Sequence, residues 1–75
     1  MDEPSTRKQQ RYIYGLVKAI LEPLFEFSVR IDDSLVVAFL NENYSDWLHG
    51  ELTSLEDLEK FEATEILHRL EDGLD

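Results

Sequence analysis

Glu65-Ile66-Leu67-His68 places a carboxylate and an imidazole three residues apart, on one face of any helix that carries them. Di-iron bundles use that pair, but in two copies, with two further carboxylates on four helices. This chain has one copy, so the pair is read as a solvated helix face. Asn41, Asn43 and Ser45 follow the first, third and fifth places of a calcium loop. The sixth place is Asp46, where the sharp turn needs glycine, and the twelfth is Leu52, where the loop needs glutamate. That reading fails. His49 stands beside Gly50 and near Glu51, and is read as a helix-end residue meeting free carbonyls rather than as a general base. The three glycines are isolated, which excludes a glycine-rich phosphate loop. The expectation is a non-enzymatic protein that calls for no metal and no cofactor.

Two charged stretches remain. Thr6-Arg7-Lys8-Gln9-Gln10-Arg11-Tyr12 is basic and aromatic. Arg7, Lys8 and Arg11 can neutralise phosphates and Tyr12 can stack on a base. The competing reading is an ordinary solvated helix start. Against it stand Glu42, Asp46, Glu56, Asp57, Glu59, Glu62 and Glu65, a dense acidic face with only Lys60 and Arg69 nearby to offset it. Trp47, with Tyr44 and Leu48, fits either a hydrophobic anchor for a partner or a plug closing a small core.

The charge is divided along the chain. The first 21 residues hold four cations against two carboxylates, a balance of +2; the remaining 54 hold three against fifteen, −12, giving −10 in all. Most of such a surface repels nucleic acid and anionic membrane and attracts basic surfaces. Salt adaptation would produce the same composition. Seventy-five residues without cysteine can rely on neither a disulfide nor a thiolate metal site. No stretch reaches the roughly 18 apolar residues of a membrane span. The polar start, MDEPSTRKQQR, is unlike a secretion signal, and the chain is read as cytoplasmic.

These side chains must be positioned by a domain spanning 1–75, expected to be predominantly α (α+β), with three to four helices, a β-hairpin at about 24–40 and a frayed 1–5. Ser5 or Thr6 caps a first helix of about 6–22, whose face is Ile13, Leu16, Val17, Ile20 and Leu24. Pro23 is its expected stop. Phe25, Phe27, Val29 and Ile31 then alternate with polar residues, as in a half-buried strand. Asp32-Asp33-Ser34 is turn chemistry, and Leu35–Leu40 reads as the second strand of the hairpin. The same run also fits a helix capped by Asp33 or Ser34, with Val36, Phe39, Leu40, Tyr44, Trp47 and Leu48 on its face. With the hairpin, a short helix covers about 43–49. Ser54-Leu55-Glu56-Asp57 has the form of a capping box. A break near 59–60 leaves a last helix of about 61–72, ended by Gly73. The first and last helices are expected to pack together.

STRKQQRYIYGLVKAI resembles the opening helix of a small helical module of phage regulatory and recombination proteins, including strand-annealing ones. LTSLEDLEKFEATEILHRLED resembles that module's closing segment. The resemblance covers about 35 of the 75 residues; residues 23–52 depart from the pattern. It implies an interaction module in DNA transactions. With the charge division, it gives the expected function: a binding protein that mimics DNA charge and engages the basic surface of a nucleic-acid-processing protein, as inhibitor or regulator. Glu42, Asp46, Glu56, Asp57, Glu59, Glu62 and Glu65 would bind, and Trp47 and Tyr44 would anchor. Membrane is excluded as a partner, and direct nucleic-acid contact is weak or absent. The alternatives are a recombination accessory domain touching nucleic acid through Arg7, Lys8, Arg11 and Tyr12, and a homodimer formed through the exposed apolar surface of its hairpin edge or helices.

Overall fold

The computed structural model describes residues 3–25 and 30–73. Three helices account for most of them: α1 (Arg7–Phe25), α2 (Asp33–Asn43) and α3 (Lys60–Gly73), with 3-10 turns at Ser45–Trp47 and Leu55–Asp57. Among the described residues there is no strand, only an isolated bridge between Pro4 and Glu59.

The β-hairpin at 24–40 is therefore corrected. Its second strand is the body of α2, and Phe25 of its first strand closes α1. Positions 26–29, the middle of that first strand, lie outside the described residues. The deciding residue is Asp32. Its backbone is extended and its side chain accepts the Leu35 N–H at 3.0 Å, which satisfies a free donor of the first helical turn. Val36, Val37 and Leu40 then fall on one buried stripe. The strand preference of valine measures how it packs, and here the packing is helical.

Helix α1 opens on a reciprocal cap. Thr6 Oγ1 accepts the Gln9 N–H at 3.1 Å and Gln9 Oε1 accepts the Thr6 N–H at 3.0 Å. Pro23 does not stop the helix at 22; it sits inside it. Proline removes one backbone donor, and with the helix ending two residues later the loss is confined to the last turn. The capping box at Ser54–Asp57 is present as expected. The helix expected at 43–49 contracts to the 3-10 turn Ser45–Trp47.

Residues 3–5, expected to fray, are tied to the start of α3. The Ser5 N–H donates to Leu58 O at 2.9 Å and the Lys60 N–H to Glu3 O at 2.7 Å. Ser5 is buried, and its hydroxyl accepts from Gln10 Nε2 at 3.0 Å.

The expected pairing of first and last helices is found: α1 packs most extensively on α3, and α2 lies against α1. Ile13, Val17, Val36, Leu40, Leu58, Ile66 and Leu70 form the fully buried centre. Two expected apolar positions stay outside. Phe61 is 70% exposed because it falls on the far side of α3 from Ala63, Ile66 and Leu70, and Leu24 is 71% exposed in the last turn of α1. No helix among the described residues is long and apolar enough to cross a membrane.

Candidate functional site

Residues 42–51, the last residues of α2 and the loop that follows it, form a segment closed at its base by a side-chain amide. Asn41 Oδ1 accepts the Leu52 N–H at 2.8 Å, and Asn41 Nδ2 donates to Leu52 O at 2.9 Å. The 3-10 turn within the loop touches both α2 and α3. A second fastening is aromatic. Phe39, Tyr44 and Trp47 pack in series, each ring tilted by 49–53° to the next, with centroids 6.0 and 5.9 Å apart. Trp47 also lies under Arg69 of α3, whose guanidinium carbon is 4.3 Å from the ring centroid. Glu65 also holds that arginine, accepting from Nη1 at 2.6 Å.

The third fastening joins His49 to Glu62. Nδ1 of His49 lies 3.0 and 2.9 Å from the two carboxylate oxygens of Glu62, and the His49 backbone N–H donates to Oε2. Glu62 also accepts the Glu59 N–H at 2.9 Å. It therefore caps α3 from the helix's third position, where a carboxylate is favoured by the helix field. Glu59 brings a carboxylate oxygen to 3.7 Å from Nδ1. The hydrogen bond that Glu62 accepts from the imidazole, and next its charge, raise His49 above its usual 6.5.

The seven carboxylates expected to form one binding face thus divide. Glu62 is 5% exposed and serves the interior, so it is removed from the face. Asp57 is exposed but occupied, accepting from Thr53 and Ser54; the Thr53 hydroxyl holds its carboxyl below the ordinary 3.8. Glu65 is paired with Arg69, and Glu59 is half-buried beside His49. Glu42, Asp46 and Glu56 are exposed and make no ion pair among the described residues, and Glu51, omitted from the expected set, joins them. Tyr44 is half-buried within the stack. Trp47 keeps 36% of its surface in solvent, so it is both fastening and exposed ring.

Arg7, Lys8, Arg11 and Tyr12 are all exposed at the start of α1, with Tyr12 half in solvent. Arg7, Arg11 and Tyr14 line an open cleft of about 650 Å³ that Asp33 and Glu56 also line. The tertiary fold thus sets the basic helix start beside carboxylates that sequence alone assigned elsewhere. Tyr14 is anchored there by donating to Ile31 O at 3.1 Å. The Glu65–His68 pair does not converge: Glu65 turns to Arg69 and His68 is exposed.

Sequence reasoning missed the roles of Asn41 and of the His49–Glu62 contact. The only signal for the second was a glutamate three residues after Glu59, the spacing of a helix cap. No family model, curated protein or solved structure matches the chain.

Proposed function

We propose that this protein is a cytoplasmic, non-enzymatic binding module that engages the basic surface of a nucleic-acid-processing protein through the 42–51 loop. The observation that carries the reading is the loop itself. It presents Glu42, Asp46 and Glu51, all exposed and free of ion pairs among the described residues, beside the part-exposed Trp47. Fastenings at Asn41–Leu52, Trp47–Arg69 and His49–Glu62 hold it in one shape before any partner arrives. Pre-ordering lowers the cost of binding, and carboxylates on an acidic body steer basic partners and repel nucleic acid.

The test is biolayer interferometry against a panel of purified basic nucleic-acid-binding proteins, with labelled oligonucleotides as a second panel. Binding to a basic protein, weakened steeply by salt and removed by changing Glu42, Asp46 and Glu51 to lysine, supports the reading. Binding to oligonucleotides that is lost on changing Arg7, Lys8 and Arg11 to alanine overturns it in favour of direct nucleic-acid contact. With no strand among the described residues, a hairpin edge is withdrawn as a dimer surface, and homodimerisation through the exposed apolar surface of the helices is the form of that alternative that stands.

A further inference from the structure

We propose that His49, Glu59 and Glu62 form a binding site for a divalent transition cation of the zinc class. One nitrogen and two carboxylate donors, all within 4.8 Å of one another, come from two parts of the chain 13 residues apart. In a tetrahedral zinc site with bonds of about 2.0–2.1 Å, ligand atoms stand roughly 3.3 Å from each other. Nδ1 of His49 is 2.9 Å from Glu62 Oε2 and 3.7 Å from Glu59 Oε1, separations that bracket that edge.

The support behind the donors is built from backbone. The Glu59 N–H fixes Oε1 of Glu62 and the His49 N–H fixes Oε2, while Nδ1 of His49 lies 3.0 and 2.9 Å from the same two oxygens, where a cation would take the place of its proton. Hydrogen-bonded carboxylates of this kind are the usual ligands of metal centres. Glu62 is buried, whereas the His49 side chain is 51% exposed, so the cluster is rigid on one side and open to water on the other. Two carboxylates and a neutral imidazole balance a doubly charged cation. The start of α3 opposes a cation, but the Glu62 carboxylate already answers that field. The wider negative charge of the chain draws cations in. A nitrogen donor favours zinc-class ions over magnesium and calcium, which prefer oxygen alone. The cation replaces the proton on Nδ1, so proton and metal compete.

The experiment is isothermal titration calorimetry with zinc chloride near pH 7.5, about one unit above the free imidazole's value. It is paired with thermal unfolding and with magnesium chloride as the control ion. The expected result is one saturable zinc site per chain, with a melting temperature that rises with zinc and not with equal magnesium. His49→Gln and Glu59→Gln leave the Glu62 cap in place, so both variants fold. Each is expected to weaken zinc by more than about ten-fold, the loss that removing even a supporting partner brings. The ¹⁵N resonance of His49 Nδ1 shifts on zinc addition, marking the coordinating atom. Absence of saturable heat, or His49→Gln binding zinc as well as the parent, overturns the proposal. None of the three residues is varied in the partner-binding test, so the two readings fail separately.

Discussion

Asn41 holds Leu52 at both of its backbone polar groups, accepting the N–H at 2.8 Å and donating to the C=O at 2.9 Å. One side chain thereby closes a loop that carries the exposed carboxylates, the tryptophan and His49. Asn41→Ala leaves a part-buried donor and acceptor unmade, at a cost of about 1–3 kcal/mol. Urea denaturation reads that loss, and hydrogen exchange at the Leu52 amide is expected to accelerate. Unchanged exchange there would show that the amide does not close the loop.

The His49–Glu62 contact makes stability depend on pH in a known direction. The folded imidazole is raised above 6.5, so the folded state binds the proton more tightly than the unfolded chain. Its stabilisation is complete below 6.5 and is lost as pH rises through the folded value. In chelator-containing buffer, the melting temperature of the parent is expected to exceed that of His49→Gln at about pH 6, with the gap narrowing as pH rises through the folded imidazole's value. A gap that widens with pH would contradict the pairing.

Asp57 works in the opposite window. Its carboxyl is held below 3.8, chiefly by the Thr53 hydroxyl, so its contribution is present above 3.8 and is lost as pH falls through the folded value. Asp57→Asn is expected to melt lower than the parent at neutral pH and to converge with it in strong acid.

Gly15 lies in the middle of α1, exposed, with nothing within 4 Å of where a Cβ would stand. Gly15→Ala is therefore expected to stabilise by about 0.5–1 kcal/mol through helix propensity alone. Thermal unfolding followed by circular dichroism checks this, with a rise of several degrees expected for a domain of this size.

Ile66 is fully buried at the centre of the core. Ile66→Ala is expected to cost about 2–5 kcal/mol. A chain of this length has about 5 kcal/mol or a little more in hand. The variant should lose its cooperative melt near ambient temperature, and a melt within a few degrees of the parent would place Ile66 outside the core.

The caps at Thr6 and Ser54 were legible because they are local. Thr6 with Gln9, and Ser54 with Asp57, are three residues apart, and the geometry of a first helical turn brings such pairs together in any setting. The stripes Ile13–Val17 and Ile66–Leu70 were legible for the same reason, since helical period fixes which residues share a face. The run 35–40 was not, because valines and leucines in a short apolar segment serve strand and helix equally. Asp32 settled the matter by capping the helix, and in sequence it read equally as part of a turn.

Sequence by itself determined the charge division, the caps at Thr6 and Ser54 and the apolar faces of α1 and α3, all of which depend on neighbours within one or two turns. Tertiary structure alone decided which carboxylates are spent and which are free. Glu62 and Glu42 are chemically alike in sequence, yet one caps a helix and holds an imidazole while the other faces solvent. It also decided that Asn41 reaches Leu52 and His49 reaches Glu62, across 11 and 13 residues. Contacts at that separation arise when the packing of helices fixes where a loop must lie, and no local spacing encodes them.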